Sequence, residues 1–175
     1  MKVLVVIDMQ KDFTTGVLGN PETAAVTAPV VQYIRKFRAE NPDGRIFATL
    51  DTHTKDYLNT QEGRKLPVVH CVAGTDGWQL VPDVLEALGQ DAVLIEKPTF
   101  GAVNLPDLIG SGEDIEAFQF IGVCTDICVI SNAMILKAAY PEIPVQVIAE
   151  CCAGVTPQSH DTALSAMKAC QIEIL

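Results

Sequence analysis

The chain alternates between short, largely apolar runs and longer stretches in which apolar residues recur every three or four positions. Val3-Leu4-Val5-Val6-Ile7 is the first such run. It is uninterrupted and rich in β-branched residues, the pattern of a strand buried on both faces. Ile46 to Leu50, Ala92 to Ile95, Phe118 to Ile121 and Val145 to Ile148 are similar but for single polar residues at Thr49, Gln119 and Gln146, and Ile172 to Leu175 gives a short last strand. Helical spacing lies between them. Val30, Ile34 and Phe37 form one stripe, on a helix that begins between Pro21 and Pro29 and is closed by Asn41-Pro42-Asp43-Gly44. Pro82 to Leu88 predicts a second helix. Val129, Ala133, Leu136 and Tyr140 space a third, running from about Cys128 to Ala139, with Thr125 and Asp126 as N-cap types. Ser159 to Ala169 predicts the last, with Leu164 and Met167 turned inward. Strands alternating with helices predict an α/β fold: a three-layer α-β-α, doubly wound, mostly parallel sheet of about six strands, in one domain over residues 1–175.

Composition narrows the picture. A chain of 175 residues buries roughly 70% of its unfolded surface. No apolar run approaches the ~20 residues of a membrane span. The opening run ends on Asp8 after a few residues, so it reads as a strand rather than a secretory signal. Six cysteines without such a signal, and without a C-x-x-C, predict reduced thiols in a cytoplasm. A net charge of −10 argues against nucleic acid and anionic membranes as partners. No repeat, low-complexity tract or linker interrupts the chain.

The chemistry collects where strands end. Asp8 follows the first strand, either as a turn-former or as a buried acid with a task. Gln10, Asp12 and Phe13 hang over the same edge. Lys97 follows the third strand and either snorkels to solvent or points inward. Cys128 sits in the first turn of the helix behind the fourth strand, either as a buried structural cysteine or as a thiol made more acidic by a helix N-terminus. Ligand crevices of open α/β sheets lie at this edge. Together the three groups would suffice for acyl transfer from an amide: a thiol nucleophile, a cation that favours its thiolate, and a carboxylate that moves the proton to a leaving amine. A second set lies in one polar loop. Asp51 and His53, two apart in extended chain, face one way, and His70 follows with Glu62 between them. These side chains suit zinc, iron or manganese. Cys71 should point away from such an ion.

Five stretches then carry a resemblance: Val-Ile-Asp-Met-Gln-Lys-Asp-Phe (6–13), Asp-Thr-His (51–53), His-Cys-Val-Ala-Gly-Thr-Asp-Gly (70–77), Lys-Pro-Thr-Phe-Gly-Ala (97–102) and Gly-Val-Cys-Thr-Asp-Ile-Cys-Val (122–129). In this order, over nearly the whole chain, they resemble the isochorismatase-like cysteine hydrolases, and among them the nicotinamidases (pyrazinamidases). The resemblance implies Asp8, Lys97 and Cys128 as a catalytic triad and a metal at Asp51, His53 and His70, with Glu62 as a further ligand. It implies one divalent metal ion, zinc before iron or manganese. It also implies a cis peptide between Val123 and Cys124 and an oxyanion hole of the Cys124 and Cys128 amides. Phe13, Tyr57, Phe100 and Val123 are the expected substrate-binding residues, with Trp78 as a further candidate wall. The implied activity is hydrolysis of nicotinamide to nicotinate and ammonia through a cysteine thioester, by a homodimer or homotetramer. The alternatives are another small amide, such as a carbamoyl or ureido compound, and isochorismate; outside enzymes altogether, the superfold also hosts idle small-molecule binders. Cys124 departs from the pattern, because relatives usually carry a small residue there, often alanine.

Overall fold

The computed structural model describes all 175 residues. Six strands form one parallel sheet in the order β3-β2-β1-β4-β5-β6: β1 Lys2–Ile7, β2 Arg45–Asp51, β3 Val93–Lys97, β4 Ala117–Val123, β5 Val145–Ala153 and β6 Glu173–Ile174. The helices are α1 Lys11–Thr14, α2 Pro21–Ala25, α3 Thr27–Glu40, α4 Gln61–Lys65, α5 Pro82–Leu88, α6 Leu105–Ile109, α7 Ile130–Ala139 and α8 Pro157–Ala169. The predicted doubly wound, three-layer architecture is the one observed. No helix is long and apolar enough to cross a membrane.

The core explains the layers. Leu4 and Val6 face Val30, Ile34, Phe37, Val84 and Leu88, so α3 and α5 cover one face. Val3, Val5 and Ile7 face Leu105, Val129, Ala133, Leu136 and Met167, so α6, α7 and α8 cover the other. With both faces covered, β1 has no position for a polar residue after Lys2; each of its fully buried side chains contributes about 1.5–3 kcal/mol. The chain runs outward from β1 through β2 to β3, then crosses to β4. The order reverses at β1, and the crevice of an open sheet opens there, at the carboxyl ends of the strands.

Three elements depart from the sequence reading. The helix expected after Pro21 is two, α2 and α3, separated at Val26; Asn20 and Thr23 cap the first reciprocally. β5 runs on through Glu150-Cys151-Cys152-Ala153, past the expected end at Ile148. The extra residues form a bulge: Phe120 pairs with Val147, yet Gly122 pairs with Cys152. Glu150 stays exposed on that bulge while Cys151 and Cys152 are buried. Finally, the helix behind β4 opens with a π-turn, Thr125–Val129, before α7. Its N-cap is Cys124, and neither Thr125 nor Asp126 caps it.

Candidate active site

β1, β2, β3 and β4 deliver Asp8, Asp51, Lys97 and Cys128 to one edge, because adjacent parallel strands end level. Asp51 pairs directly with Lys97 in the β2–β3 register. Asp8, one residue past β1, takes a left-handed backbone conformation (φ 46°), which Asp tolerates better than most side chains. Thr49 supports it: the Thr49 hydroxyl donates to Asp8 Oδ1 at 2.7 Å. Across β1, Gly122 of β4 (φ 115°) leaves no room for a Cβ, which would overlap the Ile7 backbone.

Lys97 is the hub. Its Nζ lies 2.8 Å from Asp8 Oδ2, 3.3 Å from Asp51 Oδ1, 3.1 Å from the Thr99 carbonyl and 3.6 Å from Cys128 Sγ. The side chain is 1% exposed. Of the two readings of Lys97, snorkelling is therefore excluded. Burial opposes its charge, but the carboxylates of Asp8 and Asp51 outweigh burial and hold it protonated. Burial pushes the Asp8 carboxyl up, with Lys97 opposing. For the Cys128 thiol, burial and the Asp8 charge raise the pKa well above its ordinary value, and Lys97 only partly offsets them. Of the two readings of Cys128, this weighs against the acidified thiol: desolvation exceeds the help of the lysine. Burial thus shifts both the Cys128 thiol and the neighbouring Asp8 carboxyl toward their protonated forms. Cys124 is likewise pushed up to about 12, by burial first.

Beside this cluster lies the second set. One ligand atom each from Asp51, His53, Glu62 and His70 falls within 4.8 Å of the others. An isolated parallel bridge between His53 and Val72 draws the two loop segments together. His70 Nδ1 bonds to the Val68 carbonyl at 2.8 Å, which leaves Nε2 with its lone pair free for a ligand. His53 Nε2 is buried and has no hydrogen-bond partner, although Asp51 Oδ2 is 2.9 Å away. A buried, unpartnered ring nitrogen next to a second imidazole and two carboxylates is what a divalent cation would complete, and these N and O donors fit one. Burial raises the Asp51 carboxyl, but the two imidazoles beside it and the Lys97 charge override it, so Asp51 stays ionised. Cys71 faces away, fully buried in the core under α3 and α5.

The two clusters share one small cavity of about 220 Å³. Asp51, Glu62, His70, Cys124 and Cys128 give its polar walls. Phe13 and Phe100 line it, as expected. Tyr57 and Val123 do not, which corrects that part of the ring-pocket reading. Tyr57 is fully buried behind the histidines, 4.6 Å from the His53 ring and 4.9 Å from the His70 ring, with its hydroxyl on the Leu66 carbonyl. Val123 is buried in β4 beside the cis peptide it makes with Cys124. Trp78 is also outside the cavity, its indole N–H donating to Thr52. Leu18, Leu66, Ile127 and Val155 supply the remaining apolar wall. Sequence reading missed them, since single aliphatic residues in loops carry no signal of their own.

Polar residues around the site were legible only in part. Gln10 accepts from the Asp51 amide at 2.7 Å and donates to the carbonyls of Asp51 and Trp78, both at 2.8 Å. Asp12 accepts from the Cys71 amide at 2.8 Å. The Asp-Met-Gln-Lys-Asp motif thus places one acid at the site and two residues that hold the loops carrying Asp51 and His70. Asn132, one helical turn after Cys128, donates to the Cys128 and Phe100 carbonyls and accepts from the Ala102 amide. A fully buried polar residue four positions after a candidate nucleophile was the available signal. Gln10→Leu should leave the fold intact but weaken divalent-metal binding by about 10–100-fold, read by competition with a chromogenic chelator; unchanged affinity would separate Gln10 from the loop.

An isochorismatase domain family model matches residues 2–175. The chain belongs to the isochorismatase family of hydrolases. It is similar to the solved pyrazinamidase of Pyrococcus horikoshii in complex with zinc: 30% identity over 99% of this chain and 98% of that one, with a TM-score of 0.82. The fold is also that of the pyrazinamidase/nicotinamidase from Streptococcus mutans (23% identity, 100% of both chains, TM-score 0.84). It matches the N-carbamoylsarcosine amidase from Thermoplasma acidophilum as well (24%, 99% and 95% of the chains, TM-score 0.79). No curated protein sequence matches the chain.

Proposed function

We propose that this hydrolase is a cysteine amidase acting on a small ring carboxamide, nicotinamide above all, with one divalent metal ion held by Asp51, His53, His70 and Glu62. The observation that carries the reading is the Asp8–Lys97–Cys128 cluster opening onto the same small cavity as the four ligand-type residues. The cavity is smaller than the roughly 300–1,000 Å³ of drug-sized sites, so it suits a single ring with its amide. The likeness to a zinc-bound pyrazinamidase supports the same reading.

In this reading Cys128 Sγ attacks the carboxamide carbon as Asp8 takes the thiol proton. The S–C bond forms and the carbonyl electron pair moves to oxygen, where the Cys124 and Cys128 amides bind it. The oxyanion then collapses, the C–N bond breaks, and ammonia leaves with the proton held by Asp8. Water attacks the thioester while Asp8 accepts its proton. Collapse of the second tetrahedral centre releases the carboxylic acid, and the proton returns to sulfur. Lys97 remains charged throughout and holds Asp8 against Cys128. The metal, when bound, supplies a Lewis-acid anchor for a ring nitrogen. Phe13 and Phe100 enclose the ring.

Ammonia release from nicotinamide, pyrazinamide, benzamide and carbamoyl compounds tests this directly. Ring carboxamides bearing a nitrogen for the metal should be turned over fastest. Purified protein should bind about one divalent ion per chain by its ligand count, and chelation should lower activity that added metal restores. Turnover of carbamoyl compounds alone, unaffected by chelation, would favour the metal-free amidase reading instead.

A further inference from the structure

Thr125 and Asp126 have the residue types that cap helices, yet neither caps the helix behind β4. Both reach across to the β5–α8 corner. Thr125 is fully buried, and its Oγ1 lies 2.7 Å from His160 Nδ1 on the first turn of α8. Asp126 Oδ1 accepts from the Val155 amide at 3.1 Å. The corner is pressed against the turn, since a Cβ on Gly154 would stand 2.9 Å from the His160 backbone nitrogen and 3.1 Å from Asp126 Oδ1. α8 is itself well anchored: Thr156 and Ser159 cap it reciprocally, and Met167 is buried beneath the sheet.

The turn held in this way is the one that bears the chemistry. The Cys124 carbonyl accepts from the Ile127 and Val129 amides, both at 3.1 Å, which closes the π-turn. The Cys124 amide has no acceptor within the protein. His160 stands outside the metal-ligand group, so of the three histidines it alone has no role in the reaction as described above. We propose that His160 is a positioning residue of the active site: through the Thr125 hydroxyl it sets the turn that carries the Cys124 amide and the Cys128 thiol. The inference rests on the amidase reading with Cys128 as nucleophile.

The physical reason is local. Without His160 the Thr125 hydroxyl is buried and unpaired, and the turn shifts to find it a partner. A small displacement of an oxyanion donor affects the transition state far more than the bound amide. His160→Ala should therefore lower kcat about 10–100-fold, with KM changed within about twofold. Nicotinaldehyde, whose carbonyl carbon adds Cys128 sulfur to form a thiohemiacetal, should lose affinity by the same factor. Nicotinate, which forms no such bond, should bind as before. Thr125→Val should reproduce these changes, and the Thr125→Val/His160→Ala pair should be no worse than either alone. His160→Asn, which offers a polar atom near the position of Nδ1, and Thr125→Ser, which keeps the hydroxyl, should regain most of the rate even where the harsher variants fold poorly. Wild-type kcat and aldehyde affinity in His160→Ala would overturn the inference. So would losses that multiply in the double variant, equal losses of aldehyde and nicotinate binding, or no recovery in the folded His160→Asn and Thr125→Ser proteins. These results count against the inference alone when Cys128→Ala is inactive; full turnover by Cys128→Ala would instead remove the reading on which it rests.

Discussion

Cys128→Ala is expected to abolish turnover, with a fall in kcat on the order of a millionfold, the scale reached when a covalent nucleophile is removed. No neighbouring group replaces it. Lys97 is held protonated by the negative charges around it and has no lone pair to offer. Cys124 lines the same cavity, but burial pushes its thiol up to about 12, and the sulfur that Lys97 Nζ contacts is that of Cys128. Cys124→Ala should accordingly keep substantial activity, because only its backbone amide takes part in the proposed chemistry. The alanine removes a side chain that is only partly buried. Ammonia release by the two variants, at matched metal content, checks both halves. Activity in Cys128→Ala with loss in Cys124→Ala would exchange their roles.

Asp8→Asn is expected to lower kcat/KM by about 10²–10⁴-fold, the range for a general acid–base group. The substitution keeps the shape and a hydrogen-bonding oxygen for the Thr49 hydroxyl, but it cannot carry a proton from sulfur to the leaving amine. It also removes one side of a buried ion pair at 2.8 Å. Breaking such a pair costs about 3–5 kcal/mol when the remaining charge is left alone. Here Asp51 remains 3.3 Å from Lys97, so the loss of stability should be smaller than that and the protein should stay folded. Thermal melting and near-ultraviolet circular dichroism separate the two effects. A folded Asp8→Asn protein with wild-type rates would remove Asp8 from the reaction.

Much of this was legible in the chain because buried parallel strands leave an unmistakable mark. Val3 to Ile7 admits no polar residue, so Asp8 had to stand at its end; Asp51 follows a run, Ile46 to Leu50, whose one polar residue is Thr49. Level strand ends then bring distant residues to one edge. Contacts between loops left no such mark. Nothing periodic announces that Gln10 grips the Asp51 backbone or that Asp12 takes the Cys71 amide. Tyr57 read as a cavity wall because aromatic loop residues often are; it is the support behind two imidazoles instead. The β5 bulge was hidden because Cys151 and Cys152 are small and flank an exposed Glu150, a pattern shared by loops. The acidity of the thiol was misjudged for a physical reason. A lysine favours the thiolate, but the depth of burial, which outweighs it, belongs to the packed structure and not to the motif.

The central claim is a thioester on Cys128. Protein mixed with saturating nicotinamide, quenched in acid across the first turnover and analysed by intact-mass and peptide-level mass spectrometry, tests it most directly. The account predicts a nicotinoyl adduct that rises as the first equivalent of ammonia appears, maps to the peptide containing Cys128 and is absent from Cys128→Ala. Release of that first equivalent with no adduct at any time point, or an adduct carried by Cys124, would contradict it.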